Sequence, residues 1–214
     1  MESLSLFPDE APSMLFFEDQ IRKKGYRMVA GIDEAGRGPL AGPVVAAAVI
    51  LPENFSLPGL TDSKKLSEKQ RELFYPQILK SASAVGVGVA TAVEIDQVNI
   101  LQATLLAMQR GVRRLSVNAD YLLIDGITPL PVDLPQQTLK KGDNRSLSIA
   151  AASVIAKVVR DRIMLSVDRQ FPGYGFAKHK GYGTAFHRQA IVDNGPIKQH
   201  RKSFGGVREY LEKE

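Results

Sequence analysis

The sequence predicts one α/β domain built on a mixed sheet. Three strands come early, and two of them are nearly unbroken apolar runs, as central strands covered on both faces require. Later segments with helical spacing alternate with short strands, which is the order of an α/β domain. No repeat, low-complexity tract or linker divides the 214 residues, a length that fits one compact core.

Residues 1–27 read as a weakly ordered start leading into a short helix, with Leu15, Phe16 and Ile21 docked on the domain. Met28–Ile32 reads as a strand and, after a glycine-rich turn, Val44–Leu51 as a second. Turn formers fill Pro52 to Asp62. Ser67 followed by Glu68 to Arg71 then opens a helix. Ala84–Ala92 alternates Val with Gly and Ala, a strand with close backbone neighbours. Val98 to Leu115 has helical spacing at Ile100, Leu101, Leu105, Met108 and Val112. Tyr121–Ile124 is a short strand ending in Asp125-Gly126. Ser146–Val167 is a long alanine-rich helix, and Thr184–Asn194 another, stopped by Gly195-Pro196.

The composition, 44% hydrophobic and 24% charged, is that of an ordinary globular protein. No run approaches the roughly 20 apolar residues of a membrane span, and the N-terminus lacks the pattern of a secretory signal. Cysteine is absent, which excludes disulfides, thiolate metal sites and cysteine nucleophiles. The expectation is a cytoplasmic, monomeric protein with no membrane partner. A net charge of +5 favours a polyanionic partner such as nucleic acid, and equally fits a mildly basic solvated surface.

Four carboxylates fall where strands end or helices begin. Asp33 and Glu34 follow the first strand in GIDEAGRG, Asp125 closes a later strand in LLIDG, and Asp143 precedes the long helix in KKGDN. Strand ends are the ligand-binding edge of an α/β sheet, and acids held there need a cation or donors to compensate them. Taken singly, Asp125 suits a turn and Asp143 a helix cap. The pair Asp33-Glu34 serves no packing purpose. Adjacent strand residues face opposite ways, so a shared site calls for a bend at Glu34. A donor set of oxygens, with only three histidines in the chain, selects Mg²⁺ or Mn²⁺ over Zn²⁺. Clustered carboxylates on a basic chain suggest two-metal phosphodiester hydrolysis.

Gly36, Arg37 and Gly38 follow the acidic pair, and consecutive amides in such a turn can hold a phosphate or hydroxyl. In GYGFAKHKGYGT, Tyr174, Phe176 and Tyr182 lie among Lys178, His179 and Lys180, a mixture suited to bases, sugars and phosphates. Packing on the core fits Tyr174 and Phe176 better than Tyr182. Lys64 and Lys65, with Lys157, Arg160 and Arg162 on the long helix, are candidate phosphate contacts. Asp161 reads as the i,i+4 partner of Lys157.

Segment by segment and in the same order, GIDEAGRGPLAGPVVAAAVIL, TDSKKLS, LIDG, KGDNRSLSIAAASVIAKVVRDR, FPGYGFAKHKGYGT and HRKSF resemble ribonuclease HII, from about Val29 to Phe204. The resemblance implies a ribonuclease H-like fold over 28–214, with a central five-stranded mixed sheet, flanking helices and a small C-terminal helical portion. It implies four catalytic metal ligands at Asp33, Glu34, Asp125 and Asp143, holding two divalent cations. It further implies recognition of the ribose 2′-hydroxyl by Gly36, Arg37 and Gly38, with stacking of Tyr182 on the following deoxyribose. Lys64 is a substrate-binding candidate. The implied substrates are RNA/DNA hybrids and duplex DNA with embedded ribonucleotides, cut on the 5′ side of the ribonucleotide. A sliding-clamp partner leaves no mark that the sequence discloses. Two rivals predict other outcomes: a mononucleotide-binding enzyme, which lacks the full G-x-G-x-x-G or P-loop spacing, and a non-catalytic duplex binder indifferent to metal.

Overall fold

The computed structural model describes residues 13–211. Five strands form one sheet: β1 (Val29–Ala35), β2 (Val44–Ile50), β3 (Ala84–Ala90), β4 (Tyr121–Asp125) and β5 (Gln136–Leu139), in the order β3-β2-β1-β4-β5. The first three pair antiparallel, whereas β1–β4 and β4–β5 are parallel, so the sheet is mixed as expected. β2 is buried along its whole length, which is why its sequence is apolar without alternation.

Two layers cover the sheet. Helix α3 (Ala92–Arg113) lies on one face with Ala30, Ile32, Ala46 and Ala48, and α4 (Leu147–Gln170) on the other with Ala47 and Val49. α3 crosses β3 closely at Gly86 and Gly88, the approach the strand's small residues predict. On the opposite face, a Cβ at Gly31 would sit 2.2 Å from the Ser148 carbonyl carbon. Only glycine lets the start of α4 lie this close to β1. That contact brings the residues preceding α4 to the end of β1.

Helix starts follow sequence chemistry. α2 (Glu68–Ser81) opens with a capping box between Ser67 and Gln70, and Ser146 caps α4 by accepting from the Ile149 amide at 3.2 Å. Thr184 caps α6 (Ala185–Asn194) in the same way. α3 begins earlier than its apolar spacing predicts, at a Thr91–Glu94 capping box. Asn99 then takes φ 68° and accepts from the Leu101 and Gln102 amides, recapping the helix near the point where the spacing begins. β5 had no signature: Gln136, Gln137 and Thr138 form a short polar edge strand without the apolar alternation a strand reading relies on.

Within the N-terminal segment, residues 1–12 lie outside those described, and α1 (Phe16–Lys23) docks on the domain. Ile21 is buried as expected, but Phe16 is exposed and Phe17 turns inward instead. The anchors are partly polar. Buried Glu18 accepts from the Ser146 hydroxyl, the Ser148 amide and the Ser148 hydroxyl at 2.6–2.9 Å, and Arg22 donates to the Leu51 carbonyl at 3.0 Å. Beyond α4, the short helices α5 (Phe176–His179), α6 and α7 (Arg208–Leu211) form the C-terminal helical portion around Phe176, Tyr174, Ile191 and Val207. Among the described residues no helix is long and apolar enough to cross a membrane.

Candidate metal centre and nucleic-acid cleft

Parallel pairing sets the first two acids side by side. Ile32 is in register with Ile124, so Asp33 and Asp125 follow as the next residues of adjacent strands. The close packing of α4 supplies the third. Carboxylate oxygens of Asp33, Asp125 and Asp143 lie within 4.8 Å of one another. The cap of α4 is Ser146, not Asp143, and Asp125 accepts from the Gly142 amide at 2.6 Å, across to the segment carrying Asp143.

Asp33 is the most enclosed of the three. Its Oδ1 accepts from the Glu34 amide at 2.7 Å, while its buried Oδ2 has no hydrogen-bond partner. The neighbouring Ser153 hydroxyl is engaged with Ser63 at 2.7 Å. Burial, then the charges of Glu34 and Asp125, hold the Asp33 carboxyl well above the usual carboxylate range. Burial also raises Glu34 and Asp143. An orphaned buried oxygen beside two further carboxylates fits a hard divalent cation, and the donor set suits Mg²⁺ or Mn²⁺.

Glu34 stands apart from this trio. β1 runs regularly through Ala35, so no bend forms, and Glu34 faces the α3 side opposite Asp33. Its carboxylate meets Arg37 at 3.3 Å, and it borders a cleft with Asp125 and Thr104. Glu34 therefore flanks the cluster from the other side of the strand end. Arg37, half exposed, is the partner in this ion pair.

Three adjoining clefts meet at the acids. One, of about 250 Å³, is lined by Glu34, Gly36, Arg37, Gly38, Lys64 and Tyr182. A second, of about 510 Å³, runs along Asp62, Lys64, Asp125, Asp143 and Asn144. The third, of about 240 Å³, passes between Glu34 and α3. Tyr182 is 48% exposed and its ring lies beside Gly38, whereas Tyr174 and Phe176 are buried, as their division in the sequence reading anticipates. The Lys64 ammonium reaches Asp143 at 3.7 Å. Burial opposes its charge, but Asp33, Asp143, Asp62 and Asp125 outweigh that and raise its pKa.

Two expected phosphate contacts are corrected. The Arg160 guanidinium is buried, with its fork spent on the carbonyls of Pro43, Lys180 and Ala41 at 3.0–3.2 Å. Arg162 pairs with Glu72 at 2.6 Å and lies over the Tyr75 ring, toward α2. Lys157 lines the first cleft while bound to Asp161 at 2.8 Å, the i,i+4 pairing expected for Asp161. Sequence reasoning missed Asp62, which accepts from the Lys64 amide at 2.9 Å and from Asn144 at 3.4 Å. Its signal was an Asp two residues before a lysine, the pattern of an Asx turn.

A family model described as ribonuclease HII matches residues 30–207. The chain belongs to the ribonuclease HII family. A ribonuclease HII from Syntrophotalea carbinolica is 64% identical over 208 residues, covering 97% of this chain and all of the relative. One from Geotalea uraniireducens is 60% identical over the full length of both. Among solved structures, ribonuclease H2 from Pyrococcus horikoshii superposes with a TM-score of 0.72 at 25% identity, covering 86% of this chain and 97% of that one. Ribonuclease HII in the Archaeoglobus fulgidus complex with PCNA gives 0.71 at 26%, covering 83% and 95%. A ribonuclease HIII in complex with Mn²⁺ shares the fold, at 0.67 and 18% identity, over 97% of this chain and 76% of that one. The protein is thus a ribonuclease H enzyme acting on nucleic acid.

Proposed function

We propose that this ribonuclease HII cuts the ribonucleotide-bearing strand of RNA/DNA hybrids and of duplex DNA with embedded ribonucleotides. The break falls 5′ of the ribonucleotide, leaves 3′-hydroxyl and 5′-phosphate ends, and serves ribonucleotide removal from DNA. The observation that carries the reading is the cluster of Asp33, Asp125 and Asp143 around an unpartnered buried oxygen, opening on the cleft of Gly36–Gly38 and Tyr182.

Asp33, Asp125 and Asp143 would hold divalent cations, Mg²⁺ or Mn²⁺, with Glu34 completing the set from the α3 side. Bound there, two cations supply activation of the attacking water and neutralisation of the leaving oxygen. The protein's own groups position the strand. Lys64, largely exposed beside the acids, takes a phosphate. Amides of the Gly36–Gly38 turn test for the 2′-hydroxyl, the group that separates RNA from DNA at that sugar. The exposed Tyr182 ring, beside Gly38, stacks on the sugar that follows. The Archaeoglobus relative's complex with PCNA makes a sliding clamp a fitting partner for this chain as well.

The reading is tested with labelled duplexes carrying one ribonucleotide, none, or a full RNA strand, in Mg²⁺, Mn²⁺ or EDTA. Metal-dependent cutting immediately 5′ of the single ribonucleotide, with the all-DNA duplex intact, is expected. Cutting of the hybrid alone would remove the role given to Tyr182, and metal-independent retention without cutting would favour the non-catalytic binder.

A further inference from the structure

Arg201, in the HRKSF segment, has a fully buried guanidinium, and among the described residues no carboxylate lies within ion-pair distance of it. Burying an arginine in this way is costly; burial and the nearby Arg160 push its pKa down to about 9. The guanidinium spends its donors on backbone carbonyls. Nε and Nη2 donate to Gly42 at 3.0 and 2.9 Å, Nη1 donates to Arg37 at 2.8 Å, and Nη2 also donates to Gly36 at 2.5 Å. Its own segment is fixed in turn. The Arg201 amide donates to the Leu40 carbonyl at 2.8 Å, and Asp96 at the start of α3 accepts from the Lys202 and Ser203 amides at 2.9 Å.

The two carbonyls in the turn matter because of peptide geometry. In a trans peptide the C=O and the following N–H point in opposite directions, and this chain has no cis peptide among its described residues. A Gly36 carbonyl drawn toward Arg201 therefore turns the Arg37 N–H away from it. An Arg37 carbonyl drawn the same way turns out the Gly38 N–H. Gly36, Arg37 and Gly38 line the cleft that also holds Tyr182, and Arg201 is not among its lining residues.

We propose that Arg201 is a positioning residue for sugar selection: its buried fork fixes the two peptides whose amides meet the 2′-hydroxyl. This deepens, and rests on, the reading of the Gly36–Gly38 turn given above. A lysine retains charge and length but offers no planar fork, so it cannot reproduce the bonds that Nε, Nη1 and Nη2 make to Gly36, Arg37 and Gly42.

The test is a binding ratio: affinity for a duplex with one ribonucleotide over affinity for the same all-DNA duplex. It is measured with Ca²⁺ replacing Mg²⁺, and gels confirm that the strands stay intact. The unaltered protein should favour the ribonucleotide duplex. Arg201→Lys should lower the ratio about tenfold, the weight of one well-aligned hydrogen bond, while all-DNA affinity stays the same. Phe204→Leu, which trims the ring 5.0 Å beneath the Arg201 guanidinium, should lower it less, and decides the matter if the lysine variant does not fold. A ratio of one in the unaltered protein would refute the turn's role and this inference together. A ratio above one that both variants preserve, or an equal fall in affinity for the two duplexes, overturns the inference alone.

Discussion

Replacing Asp33 by asparagine should make the metal-free enzyme more stable and the metal-loaded enzyme less so. Asp33 is 2% exposed, and its carboxylate shares a 4.8 Å cluster with Asp125 and Asp143. Two unit charges at that distance repel by about 3.5 kcal/mol at an effective dielectric near 20. Asp125 is only partly buried, so solvent screens part of this repulsion. Relief on removing the charge is then roughly 1–2 kcal/mol. Little is lost against this, since asparagine Oδ1 can still accept from the Glu34 amide and its NH₂ would occupy the place of the unpartnered Oδ2. In a domain of this size the gain raises Tm by about 2–8 °C. Cation at about a hundred times its Kd stabilises the native protein by about 2.7 kcal/mol, so adding Mn²⁺ should reverse the order of the two proteins. Thermal unfolding in EDTA and across a Mn²⁺ titration reads both effects. A variant less stable than the native protein in EDTA, or one whose Tm climbs with Mn²⁺ as the native Tm does, would refute the assignment.

Other consequences follow from the same geometry. His187 Nδ1 faces the Tyr182 carbonyl at 2.9 Å, its Nε2 meets His200 Nε2 at 3.0 Å, and His200 Nδ1 accepts from the Ile197 amide. Desolvation lowers both pKa values to about 4. The unfolded chain therefore binds more protons between about pH 6.5 and 4, and stability falls as pH drops through that window, by up to roughly 3 kcal/mol for the first proton the pair takes up. The raised carboxyls of Asp33, Glu34 and Asp143 act with the opposite sign, favouring the metal-free fold as pH falls. NMR titration separates the two, and a midpoint near 6.5 at His187 or His200 would contradict the buried relay. Gly36→Ala should cost about 1–3 kcal/mol and most of the activity, because φ is +99° and the new Cβ would lie 2.0 Å from Arg160 Nε. Gly38→Ala meets only the Tyr182 ring, at 3.8 Å, so it should keep native stability in a urea titration; equal losses in the two variants would show that the turn is held differently.

The sequence discloses the strands and long helices because their burial is simple. β2 is enclosed on both faces and reads as apolar throughout, and Ser67, Ser146 and Thr184 mark helix starts by side chains that cap them. It does not disclose β5, whose pairing comes from β4 and not from its own polar side chains. At the site, the four acids were legible by position and by family pattern, but not their arrangement. Asp33, Asp125 and Asp143 converge through parallel register and the glycine contact at Gly31, while Glu34 keeps the alternation of a regular strand. Arg160 shows the limit of reading charge as surface. Its side chain belongs to the interior, where it ties the carbonyls of Ala41, Pro43 and Lys180.

The most direct test of the account is single-turnover cleavage of a duplex with one ribonucleotide by the native enzyme and by Asp125→Asn, at saturating Mg²⁺. Asp125 lies within the carboxylate cluster and is only partly buried, so the amide should leave the fold intact. Loss of at least about a hundredfold in rate is expected, equivalent to roughly 2.7 kcal/mol of transition-state stabilisation. A variant that folds and cuts at near the native rate would contradict the claim that this cluster carries the chemistry.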